Sequence, residues 1–154
     1  MSNIPFLNPT ILKQLDLPVP NRETTPQVLE PLDLSTIVEP SKPLQAYRKL
    51  YGLNLLDCEH WQGYVEMPLF RLHVQVFQPK QQKIQGTVCL LHGYLEHSGI
   101  YQPIIKEILD QGFSIVTYDL PGHGLSNGSP ASIQNFDHYQ QVLHAVYDAV
   151  RGAK

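Results

Sequence analysis

The sequence predicts an α/β fold in which an antiparallel hairpin leads into a parallel β-α-β unit. Three observations carry this prediction. Residues 88–91 form an unbroken apolar run, typical of a strand buried on both faces, and a second run begins at Ile115. Between the two runs, residues 101–111 place isoleucine and leucine at helical spacing, and Gly112 follows where glycine commonly ends a helix. Alternating apolar and polar residues before the first run predict the hairpin.

Residues 1–56 are predicted to form a proline-rich arm and a short packing helix. Eight prolines interrupt the first 43 residues. The arm is either partly disordered or, as we prefer, extended with short helical turns. Its apolar side chains available for packing are Phe6, Leu12, Leu15 and Leu17. Ser41 is the predicted N-cap of the helix, and Gly52 is predicted to end it.

Residues 57–154 are predicted to form the α/β domain itself. Its hairpin consists of strands at 58–66 and 69–77, and in the second strand apolar residues alternate with Arg71, His73 and Gln75. That period predicts a strand with one buried face. After the second parallel strand a loop leads to a final helix with one apolar stripe, made of Phe136, Tyr139, Leu143, Val146, Tyr147 and Val150.

Composition narrows the choice of partners and compartment. The 154 residues carry a net charge of -3 and a pI near 6.1, so we expect neither nucleic acid nor an anionic membrane as partner. Two cysteines are too few for a disulfide framework, and Cys89 is expected to be a small buried apolar residue of its strand. The chain shows no secretory signal and no apolar run of membrane-spanning length, so we expect a cytoplasmic protein without an integral membrane segment.

The polar residues that follow the two parallel strands are the candidate site, because parallel strands end at the same edge of a sheet. The first loop contributes His92, Gly93, Tyr94, Glu96 and His97. The second loop contributes Asp119, Pro121, Gly122, His123, Gly124 and Ser126.

The two loops read H-G-x-x-E-H-S-G-x-Y at 92–101 and D-x-P-G-H-G-x-S at 119–126. Together these motifs resemble the α/β-hydrolase fold, and within it the monoacylglycerol lipase and lysophospholipase group of serine hydrolases. The resemblance covers residues 57–151, roughly the N-terminal half of such a domain. It implies hydrolysis of carboxylic esters, with monoacylglycerol- or lysophospholipid-like substrates, by acyl-enzyme chemistry without metal or organic cofactor. The nucleophile, acid and base are expected beyond Lys154, so this fold would be truncated before the nucleophile strand.

Carried over by position, the resemblance implies one catalytic group in this chain. The backbone N–H of Tyr94 is the expected oxyanion donor, and His92 and Gly93 shape its turn. Tyr94 is larger than the small residue expected there, which would narrow the acyl pocket. For Glu96 and His97 we expect loop hydrogen bonding, with positioning near the leaving group as the alternative. In the second loop Asp119, Gly122, His123, Gly124 and Ser126 are expected to be structural.

Residues 124–128 also spell G-x-S-x-G, the pattern of a nucleophile elbow. An elbow requires the serine to lie between a buried strand and the helix that follows directly. Ser126 instead follows one loop and precedes another, so we predict a structural role. Asp119, His123 and Ser126 are also too close on one loop to form a triad.

Two alternatives remain open. One is a catalytically inactive α/β-hydrolase fragment or interaction protein, marginally stable, whose open apolar sheet edge at 88–91 self-associates or binds a partner. The other is a zinc-dependent metallohydrolase, because 92–97 is similar to the H-x-H-x-D-H loop of metallo-β-lactamase-like enzymes. Tyr94 and Glu96 depart from that loop, leaving too few ligands for a catalytic zinc ion.

Overall fold

The computed structural model describes residues 7–19, 28–55, 57–80 and 83–151. It contains four α-helices, one 3-10 helix and four strands within these residues. In chain order they are α1 (Pro9–Gln14), α2 (Lys42–Leu50), β1 (Cys58–Glu66), β2 (Arg71–Pro79), β3 (Thr87–Leu91), the 3-10 helix (Ser98–Tyr101), α3 (Gln102–Asp110), β4 (Ser114–Tyr118) and α4 (Asp137–Arg151).

The four strands form one mixed sheet in the order β1-β2-β4-β3. β1 and β2 are an antiparallel hairpin, β4 pairs antiparallel with β2, and β3 pairs parallel with β4. The parallel pair is joined by the 3-10 helix and α3, and α3 ends before Gly112, whose φ is 83°. The predicted fold class, a hairpin that leads into a parallel β-α-β unit, is therefore confirmed.

Helices cover both faces of the sheet. On one face the core joins α1, α2 and α3 to Phe77 and Ile115, and it includes Leu12 and Leu17 of the N-terminal arm. On the other face α4 packs on β2 and β4. The arm therefore packs on this core through three of the residues predicted for it, Leu12, Leu15 and Leu17, whereas Phe6 lies outside the described residues. The division of the chain at residue 57 stays a prediction.

The N-cap prediction for α2 is correct in position but not in mechanism. Ser41 is the N-cap residue, yet its side chain makes no capping hydrogen bond. Gly52, with a φ of 69°, follows the helix as predicted. Pro43 in the first turn already supplies the backbone φ that a helix needs, so the helix starts without the hydroxyl bond.

The prediction that β2 has only one buried face is wrong. His73 and Gln75 are fully buried, as are Leu72 and Val74 on the opposite face. β2 lies between β1 and β4 with helices on both sides, so residues 72–77 are buried on both faces of the strand. Polar alternation usually marks a solvent-facing side, but here it marks a buried polar cluster.

The apolar stripe predicted for α4 is also wrong in detail. The residues of α4 that are fully buried are Val142, which the prediction omitted, and Val146. Phe136 precedes the helix and is 81% exposed, while Tyr147 is 59% exposed. Tyr147 and Leu143 instead line an open groove beside β3.

The two edges of the sheet differ. Beside β1, residues 30–32 add a short parallel pairing in which Tyr64 exchanges backbone hydrogen bonds with Glu30 and Leu32. β3 pairs with β4 alone among the described strands, so its other side is open, as the sequence predicts. Cys89 at the middle of β3 is exposed, which corrects the prediction that it is buried.

Candidate functional site

The first loop, residues 92–97, holds one peptide in a defined orientation. The carbonyl oxygen of Gly93 accepts from His92 Nδ1 at 2.8 Å and from the backbone N–H of Glu96 at 3.2 Å. In a planar trans peptide the N–H points away from the carbonyl. The Tyr94 N–H is therefore directed away from these partners, and it donates to no described residue.

The proton of the His92 ring is placed by the second loop. The backbone N–H of Leu120 donates to His92 Nε2 at 2.9 Å, so that nitrogen acts as the acceptor. In the neutral ring the proton is then on Nδ1, from which it donates to Gly93. His92 is buried, and it joins the two loops directly.

Glu96 closes the first loop on itself. Its Oε2 accepts from the backbone N–H of Gly93 at 2.8 Å and from the hydroxyl of Tyr101. The hydrogen bond from the Tyr101 hydroxyl lowers the pKa of the Glu96 carboxyl most, and the bond from the Gly93 N–H lowers it further. A Cβ at Gly93 would lie 2.8 Å from this carboxylate, so a larger residue there would displace the Glu96 side chain from its hydrogen bonds. Leu95, at the tip, adopts a left-handed φ of 64°.

Asp119 is the centre of the second loop. Its Oδ1 accepts from the Ser98 N–H at 2.7 Å, and its Oδ2 accepts from the Leu125 N–H at 2.9 Å and from His73 Nδ1 at 2.7 Å. Burial raises the pKa of this carboxyl, but His73, His97 and His92 together lower it by more, so the net pKa is well below its ordinary value. A Cβ at Gly124, whose φ is 53°, would overlap the carboxylate.

Ser126 lies behind the site rather than in it. Its hydroxyl donates to the Asp119 carbonyl at 2.6 Å and accepts from the His73 N–H at 2.9 Å. Only 3% of the residue is exposed. It lies in a bend between two turns, with β4 ending at Tyr118 and α4 starting at Asp137. The first bond closes the second loop on itself, and the second ties that loop to β2.

Two further histidines, His123 and His97, have buried rings at the two loops. His123 Nδ1 lies 2.9 Å from the Pro121 carbonyl, and its ring packs beside those of His92 and Tyr94. His97 caps the 3-10 helix by accepting from the Gly99 N–H at 3.2 Å, and burial lowers its pKa to about 4. The Nε2 atoms of both rings are buried and have no partner among the described residues.

Sequence reasoning missed the polar residues beneath the loops. Gln75 donates to Ser98 Oγ at 2.9 Å and lies 3.0 Å from His60 Nε2, and Gln62 lies 2.8 Å from His73 Nε2. The available signal was the alternation of Arg71, His73 and Gln75 along β2, a strand that lies between β1 and β4. We interpreted it as a solvent-facing side.

The described residues bring no metal-ligating set together. No group of three or more histidine, cysteine, aspartate or glutamate side chains among them is placed to hold a metal ion. Each side chain of the zinc-like motif instead bonds the backbone: His92 that of Leu120, Glu96 that of Gly93 and His97 that of Gly99.

Comparison with known proteins finds a family model that matches this edge of the sheet. The model described as "Serine aminopeptidase, S33" (Hydrolase_4) matches residues 82–154, which include both loops. The chain contains part of an α/β-hydrolase domain. Within the described part of this hydrolase domain, no helix is long and apolar enough to cross a membrane.

Two relatives that match this part of the chain are named as an esterase and a lipase homolog. The chain is 37% identical over 67 residues to caffeoylshikimate esterase of Arabidopsis thaliana, covering 43% of this chain and 20% of that protein. It is 36% identical over 64 residues to a monoglyceride lipase homolog of Monkeypox virus, covering 40% and 23%. A solved CIB-like hydrolase from Thermoplasma acidophilum is similar with a TM-score of 0.49 and 15% identity, covering 60% of this chain and 46% of that one. The chain thus spans less than a quarter of the length of the two named relatives.

Proposed function

We propose that this chain supplies the oxyanion-binding half of a serine hydrolase of carboxylic esters, with monoacylglycerol- or lysophospholipid-like substrates. The observation that carries the proposal is the Gly93–Tyr94 peptide. Its carbonyl is held by His92 and Glu96 on one side, while the Tyr94 N–H on the other side has no acceptor among the described residues. Attack on an ester creates an oxyanion, which a preorganised N–H donor stabilises.

The substrate class is supported by chemistry and by resemblance. Two relatives named as an esterase and a lipase homolog match this chain, although the family model carries the name of an aminopeptidase. Ester and amide hydrolysis both pass through an oxyanion, so the Tyr94 N–H serves either reaction. The exposed side chains of Tyr94 and Leu95 offer an apolar surface beside this donor, which favours an acyl group over a charged amine.

The described residues supply a donor but no serine at a strand-to-helix elbow. Ser98 and Ser126 are both buried, and both hydroxyls accept hydrogen bonds from β2. We therefore propose, as the resemblance implies, that the nucleophile, acid and base lie beyond Lys154, and we expect this chain alone to hydrolyse no esters. The zinc alternative is not favoured, because its motif residues bond the backbone as described above.

A fluorophosphonate probe tests this proposal, because it labels activated serines covalently. The protein is taken from its source organism, and its intact mass is compared with the 17.5 kDa of this sequence. A larger protein that is labelled, and that releases acid from a monoacyl ester faster than amine from an aminoacyl arylamide, supports the proposal. Preference for the arylamide would move the substrate class to peptides. Labelling of the 154-residue chain that disappears in Ser126→Ala would overturn the placement of the nucleophile.

The second candidate function is an interaction protein without catalysis. It is favoured by the open edge of β3, a strand that carries no charge and no proline to discourage pairing. Beside it, Leu143 and Tyr147 line an open groove. We propose that this edge self-associates when nothing else covers it. A 17.5 kDa native protein that no serine probe labels, and whose sedimentation shows concentration-dependent oligomers, would favour this candidate.

A further inference from the structure

A chain of four polar side chains runs from α2 through the hairpin to the second loop. Arg48 Nε lies 2.8 Å from Gln62 Oε1, Gln62 Nε2 lies 2.8 Å from His73 Nε2, and His73 Nδ1 lies 2.7 Å from Asp119 Oδ2. His73 and Asp119 are fully buried, Arg48 is 9% exposed and Gln62 is partly buried, so the series runs from the edge of the protein into its interior. All three contacts have hydrogen-bond length.

The donor groups determine the direction of each hydrogen bond in this series of side chains. A guanidinium can only donate, so the carbonyl oxygen of Gln62 must face Arg48. The amide nitrogen of Gln62 then faces His73, and it too can only donate. His73 Nε2 is consequently an acceptor without a proton, and the proton of the neutral ring is on Nδ1, facing Asp119. Because the guanidinium of Arg48 can only donate, it determines the tautomer of His73 two side chains away.

We propose that Arg48 and Gln62 are positioning residues that hold the proton of His73 on Nδ1, and thereby keep Asp119 as the acceptor that ties the two loops together. With the proton on Nε2 instead, the bare Nδ1 would face a carboxylate oxygen at 2.7 Å, and two acceptors would repel. This proposal rests only on the hydrogen bonds that join the four side chains. That the loops they support serve ester hydrolysis rests on the proposed function.

The loops depend on Asp119 through two backbone donors. The Ser98 N–H binds one carboxylate oxygen at 2.7 Å, and the Leu125 N–H binds the other at 2.9 Å. Ser98 directly follows the first loop, and Leu125 belongs to the second. α2, which contains Arg48, lies outside residues 82–154, the part matched by the family model. α2 therefore helps to hold the two loops in place, in addition to packing on the sheet.

Ring nitrogen-15 spectra of histidine test the proposal directly, because protonated and bare ring nitrogens differ in chemical shift. The full 154-residue chain is labelled in its histidine rings and measured at neutral pH. We expect His73 to show a protonated Nδ1 and a bare Nε2. In Gln62→Glu, the new carboxylate accepts from both Arg48 and His73, so we expect both ring nitrogens of His73 to become protonated. Gln141→Glu, on the exposed side of α4, adds the same charge and should leave His73 unchanged.

Amide exchange in Arg48→Met measures the effect on the loops. Without the guanidinium the Gln62 amide is free to turn over, so we expect the Ser98 and Leu125 amides to exchange about tenfold faster. The Gly93 amide, which binds Glu96 instead, is the internal control and should keep its rate.

A protonated Nε2 on His73 in the unsubstituted chain would overturn the proposal, and so would an unchanged His73 pattern in a folded Gln62→Glu variant. The first of these measurements needs no variant, so it remains decisive if a substitution prevents folding. Neither spectra nor exchange rates involve turnover. A negative result for the His73 proposal can therefore be distinguished from a negative result for the proposed ester hydrolysis.

Discussion

The backbone N–H of Leu120 donates to Nε2 of His92 at 2.9 Å, so the imidazole that follows β3 holds the first turn that follows β4. The other nitrogen of the same ring contacts the Gly93 carbonyl at 2.8 Å. One side chain thus spans the two loops and orients the peptide whose N–H belongs to Tyr94. The free donor of the first loop depends on where the second loop lies.

Replacing His92 by phenylalanine should destabilise the protein while keeping a ring of similar shape. Both the Leu120 N–H and the Gly93 carbonyl would lose a partner, and we expect the free energy of unfolding to fall by about 1 to 3 kcal/mol. Urea unfolding measures the change. His144→Phe, at an exposed position of α4, is the matched control. Equal unfolding midpoints for the two variants would show that His92 does not hold the loops.

The proposed function predicts that removing the Tyr94 N–H impairs catalysis in a hydrolase that contains this chain. Tyr94→Pro deletes that donor, and we expect kcat to fall about 10²- to 10³-fold, as for the loss of one oxyanion donor. Tyr94→Ala keeps the N–H and should retain most of kcat, although its KM can change with the lost side chain. Full activity of a folded Tyr94→Pro variant would place the oxyanion donor elsewhere.

Stability should fall with acidification in two stages. Burial lowers the pKa of His97 from 6.5 to about 4, so the unfolded chain binds a proton more readily than the folded one between these values. Stability from this residue is complete above pH 6.5 and declines as the pH falls towards 4, by about 3 kcal/mol in all. Burial also lowers the pKa of His60, which steepens the decline. Asp119, with a pKa below its ordinary 3.8, adds a loss only below that pH.

Urea unfolding midpoints between pH 7 and 4 measure the first stage. His97→Asn retains an oxygen able to accept from the Gly99 N–H but has no proton to gain, so its midpoint should depend less on pH. An identical slope for the variant and the unsubstituted chain would contradict the assignment to His97.

The two cysteines should differ in reactivity. Cys89 is exposed on the open strand and Cys58 is buried, so a maleimide should label one thiol in the folded chain and both in urea. Burial raises the pKa of Cys58 to about 11, and partial burial raises that of Cys89, so both react more slowly than a free thiol. Slower labelling of Cys89 at higher protein concentration would support pairing of β3 between copies. Protection of Cys89 in the folded chain, with labelling of Cys58 only, would show that the β3 edge is covered.

The local elements of this protein could be predicted from the sequence because they follow from short-range patterns. The apolar runs at 88–91 and 115–116 are separated by a segment with helical periodicity, so they predict a parallel pair of strands joined by a helix. The strand at 58–66 was predicted with both ends correct. The two loop motifs were likewise placed at one sheet edge, because the ends of parallel strands coincide there.

Burial was harder to predict, because it depends on neighbours that are distant in sequence. His73 and Gln75 read as a solvent-facing side of β2, whereas β1, β4 and the helices enclose them. Cys89 reads as a core residue, whereas β3 pairs on one side only. Periodicity records which side chains share a face, but not what covers that face.

By itself, the sequence determined the fold class, the order of strands and helices, and the loops that meet at the carboxyl edge. Only the tertiary structure decided which polar groups bind one another there. Arg48, Gln62, His73 and Asp119 lie on four separate elements, and no spacing along the chain predicts their alignment. The physical reason is that a hydrogen bond requires a donor and an acceptor about 3 Å apart, and packing of the elements sets that distance.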